Sequence, residues 1–453
     1  MNLIETAKLV RDKQVSPVEL VQDLLADIER RNDELNAFVT LDPESVLQAA
    51  RTAEQQISTG SYLGPLHGIP LGIKDIIYTR GMRTTMGSKV YENFVPEENA
   101  AVVERIYDGG GIVLGKLNTH EFAYGPTGDR SLFGPARNPH NPVKMTGGSS
   151  SGSGAAVAAG LCYGALGSDT GGSVRIPSAC CGIVGMKPTF GRVSKRGVYP
   201  LSYSLDHVGP MTRTVMDNAV MLGVLAGYDE QDPYSTPMKT EDFTRYLTEK
   251  IHNAKIGVPT SYFNEQLDPE VSDAFQAAQK VFESLGAVLV PVNLPDMNRF
   301  VEGQQLVQKS EAYAVHEDIL NHRAALLDDE VRERLLASAE PRGYEYFKAM
   351  RFRPQATQML DSVFDDVDVL ITPTLPILPP DINQREIVIQ GQPEPVRGAL
   401  LRFTAPFNYT GNPCLSVPCG TSKSGLPIGL QLVGRSHSEA KLYRFAYWFE
   451  QNR

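Results

Sequence analysis

Residues 147–177 read GGSSSGSGAAVAAGLCYGALGSDTGGSVRIP, and the rest of the chain is best read outward from them. One Gly-Ser cluster opens this stretch and another closes it, with few large side chains between. Glycine lets backbone approach a ligand closely, and successive N–H groups can point into a cavity. Repeated hydroxyls supply nucleophiles and proton carriers. The pattern predicts a serine-based active site with chemical groups at both ends. The small residues 154–160 between them predict a helix packed tightly on a sheet.

Upstream, residues 64–78 (GPLHGIPLGIKDIIY) are broken by glycine and proline before an apolar run at 69–77. That run predicts a buried strand. Lys74 interrupts it, and a lysine there costs free energy unless it is paired, neutral or functional. Asp75 and Asp169 are the candidate pairing partners. Residues 99–107 predict a helix with Asn99 near its cap. Three glycines at 109–111 end it, and Ile112-Val113-Leu114 follows as a strand. This rhythm favours an α/β sheet. Nearer the N-terminus, Ser16-Pro17-Val18-Glu19 predicts a capping box with proline in the first turn. Asp42 predicts a second helix cap. Residues 119–144 form a long irregular segment rich in glycine and proline, the kind of loop that often carries function.

Downstream, residues 211–228 predict a helix, and 255–258, 271–285 and 287–292 a strand–helix–strand unit. Residues 300–352 are charged and helix-rich, with a break at Arg342-Gly343. Val367 begins a buried strand closed by Pro373. Residues 376–397 read as a proline-rich loop, 414–418 and 428–433 as strands, and 438–451 as a closing helix. No clean linker divides the chain. The division expected is one domain over 1–453. Its core spans about 60–230 and 367–453, with a helix-rich substrate side over about 230–366.

The 453 residues are 42% hydrophobic and 21% charged with net charge −10, which fits a globular protein and argues against nucleic acid as a partner. Five cysteines are odd in number and not in zinc spacing, so they read as small buried hydrophobes in a reducing compartment, with no metal expected. The N-terminal segment lacks the apolar core of a signal peptide, and no run approaches a membrane span. A cytoplasmic protein with no membrane contact is expected.

Three chemistries compete for the serines. A Ser-His-Asp enzyme would show G-x-S-x-G around its nucleophile, and Gly171-Gly172-Ser173-Val174-Arg175 does not. None of the eight histidines sits in a motif that marks a base, though any of them could approach in space. A phosphate loop would need a G-K-[ST] ending, which is absent after Gly147, so no nucleotide cofactor is expected. The third option is a serine activated by a lysine made neutral by burial, and Lys74 is the candidate.

The stretch resembles the signature of the amidase signature family at both ends. Gly147-Gly148-Ser149-Ser150-Ser151-Gly152 opens it, and Asp169-Thr170-Gly171-Gly172-Ser173-Val174-Arg175-Ile176-Pro177 closes it. Ser151 stands where the family commonly has glycine, a replacement the signature tolerates. Further matching pieces are Gly68-Ile69-Pro70-Leu71-Gly72-Ile73-Lys74-Asp75, Gly115-Lys116-Leu117-Asn118, Gly185-Met186-Lys187-Pro188-Thr189, and Gly425-Leu426-Pro427-Ile428-Gly429-Leu430-Gln431.

The resemblance implies an α/β fold with a single large mixed β-sheet flanked by helices on both faces. It implies a Ser-Ser-Lys triad with no cofactor: Lys74 as base, Ser149 as bridging serine after a cis peptide bond, and Ser173 as nucleophile. It places the oxyanion on backbone N–H groups of Thr170, Gly171, Gly172 and Ser173. It sets Ala123, Tyr124 and Gly125 beside the substrate amide, and gives Asp169 and Arg175 a supporting ion pair. A homodimer is also compatible with the family.

The family includes the glutaminase component of tRNA-dependent amidotransferases, which carries an acidic residue for the glutamine amine. This chain has Leu400-Leu401-Arg402-Phe403 in that segment. A stand-alone amidohydrolase of a small-molecule amide is therefore the first expectation, with ester or carbamate (urethane) cleavage open to the same machinery. The glutaminase component of such an amidotransferase is the alternative, and a non-catalytic scaffold component is a further one. Tyr124, Phe133, Tyr203, Phe403 and Phe407 are the expected aromatic pocket walls.

Overall fold

The computed structural model describes all residues 1–453. Eleven strands form one mixed sheet. From the first half of the chain come β1 (Phe38–Leu41), β2 (Pro70–Lys74) and β3 (Ile112–Leu117). A small ribbon of β4 (Arg137–Asn138) and β5 (Asn141–Met145) stands apart. The sheet continues with β6 (Gly164–Asp169), β7 (Val184–Lys187), β8 (His207–Thr212), β9 (Lys255–Pro259), β10 (Val288–Val292) and β11 (Val369–Pro373). A second ribbon, β12 (Glu386–Ile389) and β13 (Gln392–Pro395), precedes the last sheet strands, β14 (Cys414–Thr421) and β15 (Pro427–Val433).

The spatial order is β1-β3-β2-β6-β8-β7-β14-β15-β11-β9-β10. β3, β2 and β6 run parallel at one side, and β11, β9 and β10 at the other, with antiparallel strands between. Register brings Ile73 of β2 opposite Leu166 of β6. Lys74 and Ser168 therefore come out at the same end of two neighbouring strands, where open α/β sheets gather their ligands.

Both faces of the sheet are covered. Ile112 and Leu114 of β3 pack with Val21, Leu24 and Ile28 of the helix Pro17–Leu35 and with Ala155 and Ala156 of the helix Ser151–Ala158. Val113, with Leu71 and Ile73 of β2, faces the other way, toward Ala219 and Leu222 of the helix Val215–Leu225. That alternation is the period of two of a strand, and each buried Leu, Ile or Val contributes roughly 1.5–3 kcal/mol.

Several local expectations are corrected. Helix 154–160 begins earlier, at Ser151. Asn99 does not cap its helix; its side chain accepts from the Arg80 N–H, and the helix Ala101–Asp108 has no side-chain cap. Ser16 caps with its hydroxyl oxygen, accepting from Val18 and Glu19 N–H, yet Glu19 returns no bond and the Ser16 hydroxyl donates to Glu54. Met211 and Thr212 belong to β8, because their apolar run is buried in the sheet. The proline-rich loop 376–397 contains the β12–β13 ribbon. The cysteines are all free thiols, and burial pushes Cys162 and Cys180 up to about 12.

Candidate active site

The helix Ser151–Ala158 is built from small residues because it lies almost in contact with backbone. A β-carbon at Gly152 would come within 2.4 Å of the Ala37 carbonyl oxygen. This close packing carries the segment before it, including the cis peptide Gly148–Ser149, against the end of β2. Lys74 Nζ lies 2.7 Å from Ser149 Oγ and 2.8 Å from Ser168 Oγ. Lys74 is fully buried and makes no salt bridge: Asp75 turns away to Thr85, and Asp169 is held by Arg175. Burial pushes the Lys74 ammonium down to about 7, against the weaker pull of Asp169 and Asp206. A neutral amine is thus accessible near neutral pH, with one hydroxyl on either side of it.

At the other end, Thr170, Gly171, Gly172 and Ser173 follow β6 without joining another element. None of their four N–H groups donates to a protein acceptor. Gly172 has φ +144, and a β-carbon there would lie 2.3 Å from Thr404 Oγ1. Only glycine fits on both counts. Thr404 in turn donates its hydroxyl to the Gly171 carbonyl at 2.5 Å, which turns that carbonyl away from a competing acceptor role. Gln304 donates to the Thr170 carbonyl, and the Thr170 hydroxyl donates to Asp206. The Ser173 residue is only 6% exposed. Its carbonyl accepts from the Ser150 N–H at 3.3 Å, tying it to the residue after Ser149. A direct hydroxyl bond between Ser149 and Ser173 is not formed.

Asp169 and Arg175 make the ion pair expected of them. Arg175 donates through Nε and Nη2 to Asp169 at 3.0 and 2.9 Å, and both side chains are fully buried. Asp169 also accepts from the Val174 N–H and the Asn408 amide. Arg175 donates onward to Gln431 and the Thr404 carbonyl. The guanidinium and these donors hold the Asp169 carboxyl well below the usual range, against desolvation. A buried pair is only worth keeping when its remaining groups are satisfied, and here they are. The network pins the loop before Ser173 to β15, more than 250 residues away.

The segment expected beside the substrate lies close by. Phe122 and Ala123 take positive φ of 51° and 56°, uncommon for side-chain-bearing residues and characteristic of shaped functional loops. A β-carbon on Gly125 would strike the His120 ring. The Tyr124 side chain is buried, with its hydroxyl bonded to Ser338. A cavity of about 430 Å³ reaches this region at Ala123, Ser168 and Thr170, and its walls include Tyr199, Leu201 and Tyr203. Of the expected aromatic walls, Tyr203 is at this cavity. Phe403 and Phe407 are instead core residues packed on Phe263, tilted and stacked respectively, and Phe133 lies beside Arg83, apart from the cavity.

No histidine hydrogen-bonds Ser173. His120 touches the site only through its backbone N–H, which donates to the Ser149 carbonyl, and His207 Nδ1 faces the carbonyls of Leu205 and Asp169. Burial and Lys187 push the His207 imidazole well below its ordinary value. The sequence reading missed Ser168, Asp206, Gln304, Thr404 and Asn408. Asp206 and Asn408 sit inside or beside motif-like segments, whereas Gln304 lies in a helix whose pattern says only that it is amphipathic.

A buried lysine thus lies between two serines, with a nest of free N–H groups beside a third. The Amidase family model matches residues 19–443, and the chain belongs to that family, the amidase signature enzymes. It is 38% identical to the A subunit of the glutamyl-tRNA(Gln) amidotransferase of Lachnospira eligens, over 99% of this chain and 98% of that protein. Among solved structures it superposes on the corresponding A subunit from Thermotoga maritima with TM-score 0.84 at 35% identity, covering 100% of this chain and 94% of the other. It superposes with TM-score 0.95 at 32% identity on a structure described as a vestigial protein complex that reveals the origins of an s-triazine catabolic enzyme, covering 100% and 98%. No helix is long and apolar enough to cross a membrane.

Proposed function

We propose that the chain is an amide hydrolase in which Ser173 is the nucleophile, Ser149 the proton relay and Lys74 the base. The observation that carries this is the Lys74–Ser149 contact at 2.7 Å around a buried amine lacking a carboxylate partner. Neutral Lys74 takes the Ser149 hydroxyl proton as Ser149 takes that of Ser173. The Ser173 oxygen bonds to the amide carbon, and the N–H groups of Thr170, Gly171, Gly172 and Ser173 receive the oxyanion. The relayed proton goes to the departing nitrogen as the C–N bond breaks. Water then attacks the acyl-enzyme by the same relay, releasing the acid and restoring the Ser173 hydroxyl. Ser168 holds the amine in place throughout. Ala123, Tyr124 and Gly125 border the substrate amide.

For the amide donor, the comparisons favour the amidotransferase reading over the stand-alone enzyme expected first. In it, glutamine supplies ammonia within an assembly of protein partners. The full-length likeness to the protein from Lachnospira eligens supports it. One observation favours the second reading, a stand-alone amidase that also takes esters or carbamates. Leu401 reaches the nucleophile loop, with its Cδ2 3.1 Å from where a Gly171 β-carbon would lie. Leu400 and Phe403 are core residues, and Arg402 turns away to Glu394, so this segment offers no carboxylate to a glutamine amine.

The test is ammonia release by the purified chain, with and without amidotransferase partner proteins, from glutamine and from simple amides. Glutamine turnover that requires the partners supports the amidotransferase reading. Turnover of simple amides by the isolated chain supports the second reading. No turnover of either, with Ser173 unlabelled by a serine-reactive fluorophosphonate, sinks the chemistry.

A further inference from the structure

Arg397 is the second residue of the short helix Val396–Arg402. Leu401, four residues on and hence on the same helix face, is the side chain that reaches Gly171. The Arg397 guanidinium carbon lies 6.0 Å from the centre of the Tyr124 ring. Tyr124 precedes Gly125, whose carbonyl oxygen lies 3.0 Å from where a Gly148 β-carbon would be, beside Ser149. Arg397 is therefore flanked by the two loops that frame the serines.

The other guanidinium groups in this region are all paired. Arg130 and Arg334 meet Glu330 at 3.1 and 2.6 Å. Arg385 meets Asp129 at 2.9 Å and Glu330 at 2.8 Å. Arg334 also donates to the Tyr124 carbonyl. Arg397 has no such partner: it makes no hydrogen bond or ion pair, and its Nε is buried and unsatisfied. Burial and the Arg334 charge both work against its charged form. Three guanidinium groups thus share the carboxylates of Glu330, Asp129 and Asp328, and the fourth, Arg397, is left over beside Tyr124. An unpaired, partly buried cation is costly in the free protein and is relieved by an anionic ligand. The planar guanidinium fork matches a carboxylate with two parallel N–H donors.

We propose that Arg397 is a specificity-determining residue that binds a carboxylate of the substrate, so that the preferred amides are those bearing one. The inference rests on the amide-hydrolase reading. Glutamine belongs to this class, as do half-amides of dicarboxylic acids.

The experiment compares succinamate, glutaramate and glutamine with the neutral amides butyramide and valeramide, in turnover by the full chain and in calorimetric binding to the Ser173→Ala chain. The expected result is a kcat/KM preference for at least one carboxylate amide over its neutral counterpart. Arg397→Gln should shrink that ratio roughly 10- to 100-fold, mainly through KM, as loss of a charge-assisted hydrogen bond does. Arg397→Lys should recover part of it. A ratio unchanged in Arg397→Gln, or hydrolysis of neutral amides alone, overturns the assignment while leaving the hydrolase standing. Absence of carboxylate-amide binding to Ser173→Ala overturns it as well. Binding that needs Arg397, in a wild-type chain that hydrolyses nothing, would keep the assignment and sink the hydrolase instead.

Discussion

Lys74 Nζ and Ser149 Oγ meet at 2.7 Å across 75 residues of chain. The lysine ends one parallel strand, and the serine precedes a helix that crosses the next. Between them they make a dry amine with a hydroxyl to work through.

Replacing members of this group should separate chemistry from folding. Ser173→Ala, Ser149→Ala and Lys74→Ala should each lower kcat/KM for an amide by on the order of 10³ or more, with non-additive losses in the double variants. Fluorophosphonate labelling followed by intact mass should report adduct on wild type and none on Ser173→Ala. Turnover persisting in purified Ser173→Ala would remove it as nucleophile.

The pH profile should carry the lysine's signature. Burial lowers Lys74 to about 7, so the base is protonated and inactive below that pH and neutral above it. Log kcat/KM is expected to climb with unit slope below pH 7 and level off above it. A limb centred near 10 would mean that the amine is solvated in the working enzyme.

Asp169 and Arg175 should dominate stability rather than proton transfer. Asp169→Asn or Arg175→Met leaves a buried charge without its partner, and about 3–5 kcal/mol of unfolding free energy should be lost in denaturant titrations. The sign with pH follows from the depressed carboxyl of Asp169. Its stabilisation is present above the ordinary carboxylate pKa, about 4, and drains away as pH falls below that. An Asp169→Asn chain as stable as wild type would overturn this account.

Gly172 and Gly223 offer a matched pair. Gly172→Ala puts a methyl group 2.3 Å from Thr404 Oγ1 at φ +144, so both stability and kcat should fall. Gly223 lies in the helix Val215–Leu225 with nothing within 4 Å of a β-carbon. Gly223→Ala should leave turnover alone and stabilise by about 0.5–1 kcal/mol in the same titration. Equal effects of the two substitutions would contradict the reading of the Gly172 turn.

Much of this molecule could be read from local chemistry. Residues 147–177 specify a helix too small-sided to be anything but tightly packed, flanked by serines and by glycines that keep N–H groups free. Lys74 in an apolar strand already demands either a partner or a function. Those are short-range facts, fixed by side-chain size, backbone freedom and the cost of burying charge.

Tertiary structure decided what those groups meet. Asp75 is adjacent to Lys74 in sequence yet bonds Thr85, because the strand ends at Lys74 and Asp75 lies in the turn that follows. Ser168, 94 residues away, is the second partner of the amine, because β2 and β6 lie side by side in parallel. Phe403 looked like a pocket wall and is core, while Arg397 looked like part of a loop and stands unpaired beside Tyr124. Whether a buried charge is balanced depends on every chain segment packed around it, and no local pattern carries that sum.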